Sequence, residues 1–229
     1  MNQMEREIIN GVEVLLERAE NYIQINDATE DDLSGVWPKL KEKFPRHTAA
    51  FCFRNVPIPS GFLNETNAEL WDDCDELRLS VTDFEQHAEI GAITNKTDSI
   101  EITLITPENF EIFADVHDQA NPDMSWPSRR IRERMDIWRV LACVNNGIVT
   151  DYILLMHQPI FPASEIFCVW TKDLAKAKAL LTAAALNSFA NGADEVLYMI
   201  DKDEEICKNA AMALGFKECG YYQGYKVIL

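Results

Sequence analysis

The stretch that most constrains this chain lies near its C-terminal end. Glu165-Ile-Phe-Cys-Val-Trp-Thr171 is an apolar run of strand length. Lys172-Asp-Leu-Ala-Lys-Ala-Lys-Ala-Leu-Leu181 opens a long Ala/Leu/Lys helix that runs from Asp173 to Ala190 and stops at Asn191-Gly192. Glu195 to Ile200 is a second apolar strand. Asp203 to Leu214 is a helix whose acidic start suits its N-terminal dipole, and Gly215 ends it. Neither apolar run alternates with polar residues, so both strands are expected to be buried on both faces. Two short strands, Phe216 to Tyr222 and Tyr225 to Leu229, are expected to finish the chain on either side of Gly224.

The same reading extends upstream to residue 100. Ile100 to Ile105 is a strand. Thr106 and Pro107 have the chemistry of an N-cap and a first helical residue, and the helix runs to about Asp118. A loop containing Pro122 and Pro127 leads to a basic helix, Ser128 to Met135. Ile137 to Val144 and Ile148 to Met156 are strands joined at the Asn145-Asn-Gly147 turn. In the first part of the chain, Glu5 to Glu20, Asp31 to Lys43 and Glu65 to Asp75 read as helices. Thr48 to Arg54 and Glu76 to Val81 read as strands. The polar stretch Ile93-Thr-Asn-Lys-Thr-Asp-Ser99 sets the division, giving an N-terminal α/β region over 1–97 and a second domain over 98–229. Apolar clusters such as Ala49-Ala-Phe-Cys-Phe53 are expected to fold the N-terminal region against that domain.

Composition narrows the function. A net charge of −17 argues against binding phosphate backbones and favours solubility and a cationic or amine-bearing substrate. No segment has the run of about 18 apolar residues that a membrane span needs, and the polar start is neither a signal nor a transit peptide, so a cytoplasmic location is expected. The six cysteines form no C-x-x-C pair and read as free thiols. His47, His87, His117 and His157 are scattered without ligand spacing, so no metal site is expected, and they read as surface or loop histidines.

The element order over residues 100–229, together with Lys172-Asp-Leu-Ala175-Lys-Ala177 and Leu214-Gly-Phe216, resembles the GNAT acetyltransferase superfamily. The resemblance implies an α/β (α+β) fold with a GNAT-like mixed, splayed sheet flanked by helices, the splay lying between the strands at Glu165–Thr171 and Glu195–Ile200. The helix-strand-helix-strand order read in the N-terminal region is either a decayed second GNAT-like half or an unrelated extension.

The resemblance also implies a site. The family's loop binds pyrophosphate through small residues and helix-start N–H groups, and here Lys172, Ala175, Lys176, Ala177 and Lys178 stand in that place. The pantetheine arm of acetyl-CoA is expected along Cys168, Val169 and Trp170. Glu165 is the candidate base, with Asp201 as the alternative. The tyrosine that many members carry five residues before the Gly-Phe phenylalanine is replaced by Ala211, which leaves Tyr198, Tyr221 or Tyr222 as candidate acids. Asp123 and Trp126 in the loop between the first two helices of this domain suit an amine acceptor. The expected activity is acetyl transfer from acetyl-CoA to a small-molecule or peptide amine. The alternative is a catalytically inactive CoA-binding or interaction protein.

Overall fold

Period-two burial, not helical periodicity, governs the first residues of the chain. In the computed structural model, which describes residues 5–91, 100–122, 126–157 and 162–229, the segment expected as a helix over Glu5–Glu20 is a hairpin. It comprises β1 (Glu5–Ile9), β2 (Val12–Glu17) and a short 3-10 turn. Asn10 and Gly11 carry φ of 51° and 86°, the left-handed pair that a two-residue hairpin turn requires. Val12, Val14 and Leu16 are buried while Glu13 between them is exposed. The Glu- and Leu-rich composition favours helix, and tertiary burial of alternate residues overrides it.

The chain forms two compact units, Met1–Asp75 with Gly220–Leu229, and Glu76–Cys219. The division expected at 97/98 falls within residues 92–99, which lie outside the described residues.

The first unit continues with β3 (Tyr22–Asn26), α1 (Glu30–Lys43), β4 (Thr48–Arg54), α2 (Ser60–Thr66) and the start of β5 (Glu69–Ser80). Residues 65–75, expected as a helix, therefore span the end of α2 and the strand that follows. A Schellman closure separates them: Asn67 sits at φ 54°, Asn67 N donates to Asn64 O, and Ala68 N donates to Leu63 O. β1, β2 and β3 are antiparallel neighbours, and β3 runs parallel to β4. The strand on the other side of β4 is the C-terminal part of β11 (Lys217–Ile228), antiparallel over Tyr222↔Arg54 to Ile228↔Thr48. β11 is one strand where two were expected. Gly224 does not break it: a Cβ there would lie 2.7 Å from Trp71 Nε1, so the glycine permits a close approach. Leu33, Val36 and Leu40 of α1 pack with Phe51 and Phe53 in this unit's core.

The second unit contains α3 (Val81–Gly91), β6 (Ile102–Ile105), α4 (Glu111–Ala120), α5 (Ser128–Glu133), β7 (Trp138–Asn145) and β8 (Ile148–His157). It continues with β9 (Ala163–Trp170), α6 (Leu174–Ala190), β10 (Glu195–Asp201) and α7 (Glu205–Ala213). Its strand order is β5-β10-β9-β8-β7-β6. β6 to β9 are antiparallel neighbours, and β9 and β10 are parallel, joined by α6. One core cluster puts α6 and α7 against Ile166, Val169, Val196 and Tyr198. A second gathers Phe110, Phe113, Ile131, Trp138, Tyr152 and Leu154 with α4 and α5. The unit is thus a mixed sheet flanked by helices.

The order β1-β2-β3-α1-β4-α2-β5 of the first unit repeats as β7-β8-β9-α6-β10-α7-β11. The repeat reaches backbone detail. α7 closes as α2 does, with Gly215 at φ 97°, Gly215 N on Met212 O and Phe216 N on Ala211 O. Leu214-Gly-Phe216 is therefore a Schellman stop whose Phe216 drops into the core at 2% exposure.

Candidate functional site

β9 opens because it carries one residue too many. Leu155 pairs with Ile166 and Leu154 with Cys168, so Phe167 is the extra residue of a bulge. Ile166 and Val169 face α6 and α7, whereas Phe167 and Cys168 both turn to the Trp138–Tyr152 cluster. The register with β10 runs only from Ala163↔Glu195 to Ile166↔Tyr198, although β9 continues to Trp170 and β10 to Asp201. The two strands part at the bulge. The corresponding pair in the first unit, β3 and β4, stays registered from Tyr22↔Thr48 to Asn26↔Cys52. Of these two parallel pairs, the one in the second unit is splayed.

The splay is lined by polar groups with displaced ionisation. Burial pushes the Cys168 thiol up to about 12, helped by the negative charge of Glu204. Burial likewise raises Cys207 to about 11, and its Sγ lies 3.9 Å from Val169 O. Tyr198 is 2% exposed, and burial holds its hydroxyl well above its ordinary value. That hydroxyl donates to Glu204 Oε2 at 3.4 Å. Glu204 is an exposed residue at the head of α7, and its carboxyl is raised, first by partial loss of water around it and then by the charge of Asp201. A carboxyl whose pKa is raised on folding contributes stability below its unfolded value, 4.5, and that contribution is lost as pH rises through the folded value. Glu204→Gln should therefore melt at a higher temperature than wild type at pH 7–8, with the difference vanishing near pH 4. Parallel melting curves across this range check the expectation, and a constant offset at all pH values would count against it.

A buried chain holds the other face. His117 Nε2 donates to Trp126 O at 2.9 Å, which leaves Nδ1 to accept from the Tyr152 hydroxyl at 2.9 Å. Asn121 Nδ2 donates to the same hydroxyl at 2.7 Å. Trp170 stacks on Tyr152, with centroids 5.5 Å apart. His117 and His157 are 0% and 9% exposed, so the expectation of surface or loop histidines fails for both. The pairing of a histidine with a distant tyrosine leaves no mark in sequence spacing.

The head of α6 is closed by its own cap. Asp173 Oδ1 accepts from Ala175 N at 2.8 Å and Lys176 N at 3.1 Å, and Asp173 O accepts from Ala177 N at 2.8 Å. The three N–H groups expected to face pyrophosphate thus donate to Asp173. Lys176 Nζ lies 2.6 Å from Asp151 Oδ2, and Thr171 Oγ1 donates to the other carboxylate oxygen at 2.7 Å. Burial works to raise Asp151, but the hydrogen bonds from Lys176, Thr171 and Thr150 outweigh it and hold the carboxyl below its ordinary value. Lys172, Ala175 and Lys178 are exposed, and Ala177 is buried beneath the helix.

Glu165 is half-buried on β9, opposite Leu197 of β10 and Met156 of β8, one residue before the register ends. Trp126 packs its ring on Trp138 at 4.9 Å. Asp123 lies outside the described residues. Tyr198 belongs to the splayed unit, while Tyr221 and Tyr222 belong to the first, where Tyr221 donates to Val56 O. Ala211 is fully buried under α7.

No known family profile matches the sequence, and no curated protein matches it. Solved structures match it over nearly its whole length. A functionally unknown conserved protein from Staphylococcus epidermidis aligns at TM-score 0.66 and 10% identity, over 99% of this chain and 94% of its own. A GCN5-related N-acetyltransferase from Kribbella flavida aligns at 0.62 and 9%, over 98% and 89%. A tandem GNAT protein from the clavulanic acid biosynthesis pathway aligns at 0.63 and 12%, over 95% and 78%. The chain has the GNAT fold, and the likeness covers both halves rather than residues 100–229 alone. Among the described residues, no helix is long and apolar enough to cross a membrane.

Proposed function

We propose that the second unit transfers an acyl group from a pantetheine thioester, acetyl-CoA in the first instance, to an amine of a small molecule or peptide. The observation that carries this reading is the bulge at Phe167, where β9 leaves β10 after Ile166. An extended arm can add to the parted edge as a strand does, along Cys168, Val169 and Trp170. Glu165 is the proposed base: it takes a proton from the ammonium group, which frees the nitrogen to attack the thioester carbonyl. The N–C bond forms, the C–S bond breaks with its electron pair left on sulfur, and the second proton that the nitrogen sheds on becoming an amide passes to that sulfur, directly or through water. Asp123 and Trp126 are the proposed acceptor contacts. Lys172 and Lys178 keep exposed ammonium groups near the donor end, while Lys176 is held by Asp151.

The second reading is a thioester-binding protein without turnover. Ala211 favours it, because a buried methyl group there can donate no proton to a leaving thiolate. Titration calorimetry with S-acetyl-pantetheine and acetyl-CoA, followed by a thiol-release assay over a panel of amines, tests both. Saturable binding with amine-dependent thiol release is the expected result. Binding without release would leave the second reading, and no binding of either probe would sink both.

A further inference from the structure

We infer that Asp173 takes the place of a donor diphosphate at the head of α6, so that this protein recognises its donor through the pantetheine arm and acyl group. The inference rests on the acyl-transfer reading above and names its donor class: a pantetheine thioester whose diphosphate contributes nothing to affinity.

The GNAT fold implies an anion held by the first N–H groups of this helix, and the residues present do not fit one. A single carboxylate oxygen takes the N–H groups of Ala175 and Lys176, and the Asp173 carbonyl takes that of Ala177. An incoming phosphate would have to displace a group of its own charge sign from contact distance. Asp173 has φ −114°, and no residue from Thr171 to Ala177 has positive φ. The backbone therefore forms no concave nest of N–H groups.

Lys172 and Lys178 are exposed, where an ion pair in water contributes little, and the partly buried Lys176 cannot answer the charge. Lys176 is bound to the buried Asp151, and drawing it toward a phosphate would leave that carboxylate short of its counter-charge. The helix of the other parallel pair is closed in the same way. At α1, Thr29 and Asp32 form a reciprocal capping box, and Glu30, Asp31 and Asp32 fill the first turn. Neither crossover helix offers an anion site, whereas β9 parts from β10 after Ile166, where the uncharged arm is proposed to add.

The test compares two donors that differ only beyond the pantetheine. Dissociation constants for S-acetyl-pantetheine and acetyl-CoA are measured by calorimetry on wild type, Asp173→Gly and Asp31→Asn. Glycine is a tolerated N-cap, so the first variant keeps its fold, which circular dichroism checks. Asp31→Asn makes the same charge change in the first unit and reports generic repulsion from the acidic surface. Wild type should bind the two donors within about threefold, and Asp173→Gly should tighten acetyl-CoA by about tenfold or more while leaving S-acetyl-pantetheine unchanged. Asp31→Asn should not alter the ratio. A wild-type preference for acetyl-CoA beyond about threefold overturns the inference and leaves the acyl-transfer reading standing. So does a ratio in Asp173→Gly that matches wild type or Asp31→Asn. If neither donor binds wild type or Asp173→Gly, the acyl-transfer reading falls and the inference with it.

Discussion

Deleting residues 220–229 is expected to unfold the first unit. That segment gives β4 its antiparallel neighbour over seven registered pairs, Tyr222↔Arg54 to Ile228↔Thr48. It also places Tyr225 against Phe53, with centroids 6.2 Å apart, and sets Val227 and Leu229 on the core of α1 and β4. Leu229 exchanges backbone hydrogen bonds with Arg46 and His47, and the Tyr221 hydroxyl donates to Val56 O at 2.5 Å. Each backbone bond contributes about 1 kcal/mol and the apolar burial adds several more, so the loss is on the order of 5 kcal/mol or above, a whole domain's margin. The truncated chain should also self-associate, because Thr48-Ala-Ala-Phe-Cys-Phe53 becomes an open apolar edge. Hydrogen exchange at the β3 and β4 amides, with thermal melts, measures this. Wild-type protection of those amides in the truncated protein would refute it.

Glu165→Gln should lower amine-dependent thiol release by about 100-fold while leaving the donor's dissociation constant unchanged. The substitution keeps the size of a half-buried side chain on β9 and removes its negative charge and its ability to take a proton. A merely structural carboxylate would show the reverse pattern, lost stability or affinity with turnover intact. Steady-state kinetics beside calorimetry separate the two, and undiminished turnover would remove Glu165 from the mechanism.

The second half of the fold was legible because its signals are local. Asn146-Gly147, Asn191-Gly192 and Leu214-Gly215-Phe216 mark turns by residue type, and the apolar runs at β9 and β10 bracket a helix too long to be anything else. Residues 5–20 misled because Glu and Leu favour helix in isolation, and only burial of Val12, Val14 and Leu16 decides otherwise. The Asn10-Gly11 turn was the clue in that segment. The bulge at Phe167 was unreadable in position because it depends on which residue of β8 each residue of β9 faces. The capping role of Asp173 was within reach: an aspartate directly before an Ala/Leu/Lys helix is an N-cap by type. Its consequence for an anion appears only when the distances to Ala175 and Lys176 are known.

The position of β11 beside β4 also sets a schedule for the nascent chain. β4 ends at Arg54, yet its neighbour begins at Gly220 within that unit. At a synthesis rate of about 5–20 residues per second, the ribosome needs on the order of 10–30 seconds to make the intervening chain. Throughout that interval the Ala49-Ala-Phe-Cys-Phe53 segment has emerged without its partner. The first half of the polypeptide is therefore the last to finish folding.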